Sequence, residues 1–167
     1  MTSPSQHRRA FSAALLPLLI VALSLLSVSG QWPFATPTTP QAQRNALSAV
    51  RSQVGWVQNA TRSASTYGAQ GYGSLAQQFD GLRQAWAGLK SPLNPNQLAY
   101  GANALAELDA GLDIIQEAFA DYQADIAGGQ NYAPALSNLC RVLREGSGLW
   151  LQQLNKVSGQ LRIGWGG

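Results

Sequence analysis

Residues 94–126 read NPNQLAYGANALAELDAGLDIIQEAFADYQADI, and this stretch decides the fold. Asn94 as an N-cap, Pro95 in the first turn and Gln97 as a capping-box partner predict where a helix begins. Gly128 and Gly129 predict where it ends. Between them, one seam of positions recurs at alternating steps of three and four residues, at Leu98, Gly101, Leu105, Leu108, Leu112, Ile115, Phe119, Tyr122 and Ile126. Such a seam follows one side of an α-helix and needs a partner surface that buries it.

Three further segments carry seams of the same kind. A helix is predicted over residues 41–66, with the seam Leu47, Val50, Val54, Val57, Thr61 and Ala64. A shorter one, from an N-cap at Ser74 to Ser91, has the seam Leu75, Phe79, Leu82, Trp86, Leu89 and Leu93. The last begins near 131–134 and has the seam Tyr132, Leu136, Leu139, Leu143, Gly146, Trp150, Leu154, Val157 and Leu161.

These segments predict an all-α protein with an up-down-up-down four-helix bundle over residues 41–161, because short connections make neighbouring helices antiparallel. A flexible C-terminal tail is predicted over residues 162–167. Two local alternatives stay open for the last helix at Gly146–Gly148: a kink or a division into two helices. Gly146 also offers room for a large aromatic ring.

The stretch Tyr67-Gly68-Ala69-Gln70-Gly71-Tyr72-Gly73 predicts a loop, because each glycine inside a helix costs roughly 1 kcal/mol relative to alanine. A flexible turn is one interpretation of this stretch. The other is a sticky aromatic loop in which Tyr67 and Tyr72 contact a partner, since loops at bundle ends often carry function.

The N-terminal residues 1–30 are typical of an export segment. His7, Arg8 and Arg9 precede an apolar run from Ala10 to Val28, and small residues follow it. Two interpretations remain: a signal peptide that is cleaved after Gly30, or a membrane anchor that is retained. Residues 31–40 are rich in proline and threonine and predict an extended linker. We therefore expect an exported, periplasmic or extracytoplasmic protein that is held near the membrane if the segment is retained.

Charge excludes one class of partner. Without Arg8 and Arg9, the chain carries nine Lys and Arg against eight Asp and Glu. No basic run with interleaved aromatic residues is present, so we predict no nucleic-acid binding. Lysine is scarce beside arginine, which is typical of GC-rich coding in many bacteria.

The acidic residues are concentrated in the third predicted helix. Five of them recur every fourth residue and therefore adjoin on the helix surface: Asp109, Asp113, Glu117, Asp121 and Asp125. Like charges at this spacing repel by a few tenths of a kcal/mol per pair. Three interpretations follow: a face solvated or neutralised by neighbouring helices, a docking face for a basic partner, and a cation site.

Catalytic chemistry has little support in the sequence. The only histidine is His7, so the chain after residue 30 has no imidazole base or metal ligand. Di-iron bundles need Glu-x-x-His pairs, and covalent haem needs Cys-x-x-Cys-His. Cys140 is the single cysteine and is expected to be a buried thiol. The sequence therefore predicts no cofactor, no metal and no enzymatic activity.

Two function classes remain as leading hypotheses. The first is a non-enzymatic interaction protein, such as an accessory subunit of a membrane or periplasmic complex with a protein partner. The second is a carrier or sensor of a small apolar ligand held within the bundle, since aromatic residues and glycines on the seams are able to leave a cavity.

Overall fold

The computed structural model describes residues Thr39–Trp165 apart from Gly68. These residues form four α-helices and no β-strand: α1 (Pro40–Tyr67), α2 (Ala69–Lys90), α3 (Pro95–Ala127) and α4 (Tyr132–Gln160). The all-α class and the four-helix bundle are confirmed, and α2 is the shortest helix, with 22 residues. Contacts between neighbouring helices fit a bundle. The up-down-up-down order stays a prediction.

The predicted export segment over residues 1–30 and all but the last two residues of the predicted linker lie outside the described residues. Within Thr39–Trp165, no helix combines the length and the apolar character that crossing a membrane requires.

The four predicted seams form the core. Every seam position of α1 and α2 is buried, including Trp86 and Thr61. In α3 the seam is buried from Gly101 to Tyr122, whereas Leu98 and Ile126 at its two ends are partly exposed. In α4 the aliphatic seam is buried through Leu161. Alternating steps of three and four residues therefore identified the buried face of each helix correctly.

The cap predicted for the start of α3 is also confirmed. The Asn94 side chain accepts a hydrogen bond from the Gln97 backbone N–H at 2.8 Å, and the Gln97 side chain accepts one from the Asn94 N–H at 3.0 Å. This reciprocal pair satisfies two backbone donors that a helix start otherwise leaves without partners. At the start of α4, Asn131 accepts from the Ala133 N–H at 3.1 Å.

The loop predicted over 67–73 is wrong, because α1 continues through Tyr67 and α2 begins at Ala69. Ser74 therefore lies inside α2 and is not its N-cap. The reason is a close approach of the two helices: a Cβ on Gly71 would lie 2.5 Å from the Ala64 carbonyl oxygen. Packing that only glycine allows thus offsets its poor helix propensity.

α4 is one continuous helix across Gly146–Gly148, so the alternative of two separate helices is wrong. Gly146 faces Ile115, where a Cβ would meet Cγ1 at 2.9 Å. The ring of Trp150 lies against a different glycine, Gly111, at 3.0 Å from the position of its missing Cβ. Gly111 and not Gly146 therefore makes room for the large aromatic side chain.

At one end of the bundle, the buried Gln43 of α1 joins the connection between α2 and α3, the first turn of α3 and the segment after α4. We call this the entry end, because α1 begins here; it comprises residues 40–47, 86–106 and 154–165. The Gln43 side chain donates to the Pro92 carbonyl at 2.9 Å and accepts from the Gly164 N–H at 2.8 Å. Gln97 in turn donates to the Leu161 carbonyl at 2.9 Å.

The chain after α4 packs against this network. Ile163 and Gly164 are buried, and Arg44 donates a hydrogen bond to the Gly164 carbonyl at 2.7 Å. Ile163 and Gly164 of the predicted tail therefore pack against the bundle, whereas Arg162 and Trp165 are exposed. Ile163 does not fall on the α4 seam, so helical periodicity gave no signal for its burial.

Candidate functional site

The acidic row of α3 divides into two parts in the structure. The first part faces α2. The Asp109 carboxylate accepts a hydrogen bond from Trp86 Nε1 at 2.6 Å and one from Lys90 Nζ at 2.7 Å. The Lys90 ammonium also lies 5.3 Å from the centre of the Trp86 ring. Asp109 therefore stabilises the contact between α2 and α3.

The surroundings of Asp109 favour its charged form. Partial burial acts to raise the pKa of its carboxyl group, but the hydrogen bonds from Lys90 and Trp86, with the positive charges of Lys90 and Arg83, outweigh it and hold the pKa below the ordinary value. Charge-assisted hydrogen bonds of this kind are stronger than neutral ones.

Asp113 also faces α2, but with a weaker contact. Its carboxylate lies 3.5 Å from the Arg83 guanidinium, and both side chains are exposed. Exposed ion pairs stabilise a protein by about 1 kcal/mol at most. Neutralisation of the acidic face by a neighbouring helix, one interpretation of the sequence, is thus observed for Asp109 and Asp113.

The second part of the row points to solvent. Glu117 and Asp121 are exposed, and neither forms an ion pair or a side-chain hydrogen bond with another residue in the part of the chain that the structure describes. We call these two residues the free acids. Asp125, one turn further, accepts a hydrogen bond from Gln130 Nε2 at 3.0 Å.

A groove separates α2 from α3 beside Asp109. It has a volume of about 440 Å³, and its lining includes Arg83, Trp86, Lys90, Asp109 and Asp113. The backbones of these two helices approach each other less closely than those of the other adjacent pairs. Aromatic rings bridge the wider gap: Tyr72 stacks on Tyr122 at 4.8 Å, and Phe79 lies 5.4 Å from Phe119.

Tyr72 belongs to this packing and lies within α2, not in the predicted loop. Its hydroxyl accepts a hydrogen bond from Gln123 Nε2 at 2.7 Å, and its ring meets Phe119 edge-on. The side chain of Tyr67 lies outside the described residues. The hypothesis that both tyrosines contact a partner from a loop stays untested, while the loop itself is replaced by helix.

Cys140 is a buried free thiol, as predicted. Burial raises the pKa of its thiol group, and the nearby Arg144 charge opposes this only in part. A thiol with a raised pKa is a poor nucleophile near neutral pH. No group of three or more potential metal ligands occurs within Thr39–Trp165, apart from the undescribed Gly68.

Sequence reasoning missed three contacts of this region: those of Trp86 and Lys90 with Asp109, and that of Arg83 with Asp113. A signal was present, because a buried tryptophan N–H needs an acceptor. Trp86 and Lys90 are four residues apart and so share one face of α2. Their acceptor on α3 was not identifiable without the relative register of the two helices.

Comparisons of the chain with protein-family models, with curated proteins and with solved structures found no match.

Proposed function

We propose that this chain is an exported, non-enzymatic helical-bundle protein, an accessory subunit of a membrane or periplasmic complex that binds a basic protein partner through α3. One observation carries the proposal: Glu117 and Asp121 are exposed neighbours without a cationic partner among the described residues, whereas Asp109 and Asp113 of the same row have cationic partners.

The free acids are suited to recognition more than to stability. They are four residues apart on one helix, so their carboxylates repel each other. A basic partner surface would relieve this repulsion and would increase the rate of association by electrostatic attraction. Asp125, which accepts a hydrogen bond from Gln130, extends the same face by one turn and would enlarge the contact.

The packing of the bundle supports this function over the carrier of an apolar ligand. Trp86 and Trp150 meet edge-on with 5.4 Å between ring centres, and Trp150 Nε1 donates to the Leu108 carbonyl at 2.8 Å. The aromatic residues that were expected to border a cavity thus occupy the space between the helices themselves.

Location outside the cytoplasm rests on the apolar run from Ala10 to Val28 and is tested separately. The chain should be recovered from the periplasmic or membrane fraction of the expressing cell. Sequencing of its N-terminus decides between a cleaved signal peptide, after which the mature chain begins at Gln31, and a retained anchor. Recovery of the intact chain from the cytosol alone would contradict the proposed location.

The partner surface is tested by cross-linking in the native membrane. The double variant Glu117→Gln/Asp121→Asn removes both free charges while keeping the side-chain shapes. The cross-linked species formed by the wild-type chain should be lost or strongly reduced in this variant. The matched control is Asp80→Asn/Glu107→Gln, which removes the same charge from two other exposed acids and should keep the cross-links.

Equal cross-linking of all three proteins would refute docking through the free acids. Native mass spectrometry of the purified chain adds the comparison with the alternative function. A bound small apolar molecule there would favour the carrier over the interaction protein.

A further inference from the structure

The charges of the bundle are distributed unequally along its length. Within the described part of the chain, the entry end contains the cations Arg44, Lys90, Lys156 and Arg162, and the nearest acidic residues, Glu107 and Asp109, lie just beyond it on α3. Lys90 is neutralised by Asp109, and the other three cations are exposed and form no ion pair among the described residues. The free acids lie far from this end, because Glu117 follows Pro95 by 22 residues, or about 33 Å of helix.

The same end exposes large apolar side chains. Tyr100 and Trp165 are 82% and 68% exposed, and Leu98 is 40% exposed. The network of Gln43, Gln97 and Gly164 holds α3 and the C-terminal segment together here. Aromatic side chains beside cations are the composition that anchors proteins at the headgroup level of membranes.

The chain also enters the bundle at this end. Only ten residues, Ser29–Thr38, connect the apolar run ending at Val28 to the first described residue, Thr39. Fully extended, ten residues span at most about 35 Å. A bilayer that holds the apolar run is therefore within reach of the entry end, by covalent connection alone.

We propose that the entry end docks on an anionic lipid surface, with Arg44, Lys156 and Arg162 against the headgroups and Trp165, Tyr100 and Leu98 at the interface. This inference rests on the proposed membrane proximity but not on the partner of the free acids. The docked orientation leaves Glu117 and Asp121 directed away from the bilayer, where a second protein is able to reach them.

The test uses the full chain with Trp32→Phe as the reference protein, because Trp32 follows the apolar run by only four residues. It is reconstituted into vesicles of phosphatidylglycerol and phosphatidylcholine whose acyl chains are brominated near the headgroup. Bromine quenches tryptophan fluorescence only at short range, so a docked entry end brings Trp165 into contact with the quencher. Trp165→Phe should remove a large part of the quenching. Trp56→Phe, which removes a similarly exposed tryptophan from the middle of α1, should not.

The contribution of the cations to membrane docking is tested with the double variant Lys156→Gln/Arg162→Gln. Each cation near an anionic membrane contributes roughly a fivefold factor or slightly less, so the association constant for docking should fall roughly tenfold to thirtyfold. The matched control, Arg62→Gln/Arg141→Gln, removes the same charge from the opposite half of the bundle and should leave docking unchanged. For the reference protein, about 0.5 M salt should also release Trp165, because salt screens exposed charges.

Three results would overturn the proposal: quenching that persists in Trp165→Phe, equal effects of the two charge variants, or equal quenching in vesicles of phosphatidylcholine alone. If a variant does not fold, the loss of quenching of the reference protein at high salt still tests the docking. Failure here with intact cross-linking through Glu117 and Asp121 would refute the lipid surface and leave the proposed function standing. Intact docking on vesicles together with cross-linking that does not depend on Glu117 and Asp121 would refute the protein partner alone.

Discussion

Gln43 and Gln97 exchange side-chain amide hydrogen bonds across 54 positions of the chain, at 2.8 and 3.3 Å. Gln43 is only 4% exposed. Each amide uses its remaining groups on backbone atoms of other segments, so the pair joins the start of α1, the connection before α3 and the C-terminal segment. Buried polar networks stabilise a fold only when every member has a partner.

Replacing Gln43 by leucine should therefore be costly. Gln43→Leu leaves the Pro92 carbonyl and the Gly164 N–H without partners, and the free energy of unfolding should fall by about 2–4 kcal/mol. Urea denaturation measures the change. Gln152→Leu, at an exposed position of α4, is the control and should change stability by about 0.5 kcal/mol or less. Similar values for both variants would contradict the network's role.

Asp109→Asn tests the charged contact between α3 and α2. The pKa of Asp109 is lowered in the folded state, so its ionised form stabilises the fold above the unfolded pKa of about 4, and this contribution is lost as the pH falls below that value. Because the carboxylate is partly exposed, we expect a loss of only about 1 kcal/mol at neutral pH.

The difference in stability between wild type and Asp109→Asn should shrink toward zero as the pH falls through the lowered pKa of the folded state, which urea midpoints at several pH values would show. Asp80→Asn, at an exposed acid of α2 without an ion pair among the described residues, should have little effect at any pH. A pH-independent difference for Asp109→Asn would contradict the electrostatic explanation.

Two glycines in α2 give opposite predictions for the same substitution. Gly71→Ala places a Cβ 2.5 Å from the Ala64 carbonyl oxygen and should destabilise the protein by about 1–3 kcal/mol. Gly73→Ala meets nothing within 4 Å and should stabilise it by about 0.5–1 kcal/mol, because alanine is the better helix former. Thermal denaturation of both variants measures these two changes in stability. A gain in both would show that α1 and α2 do not approach closely.

The packed C-terminal segment is tested by two isoleucines. Ile163 is 4% exposed and Ile114 is 65% exposed. Ile163→Ala should lower the free energy of unfolding by about 2–4 kcal/mol, as expected for a large-to-small change in a core. Ile114→Ala should change it by about 0.5 kcal/mol or less. If Ile163→Ala were equally neutral, residues 162–165 would be the flexible tail that the sequence predicts.

Local signals were sufficient for most of the fold. The seams of α1 to α4 and the cap at Asn94 were predicted correctly, because each depends on residues within a few positions of one another. The acidic row of α3 was also found from its spacing. Its division into paired and free acids was not, because the partners Arg83 and Lys90 belong to another helix.

The sequence by itself determined which side of each helix is buried, since the period of apolar residues and the geometry of the α-helix are local properties. Only the tertiary structure decided that residues 69–73 are helical, that Gln43 is buried and that Ile163 packs back on the bundle. Each of these depends on a contact between segments distant in sequence. The free energy of such a contact outweighs the local preference of glycine for loops or of glutamine for solvent.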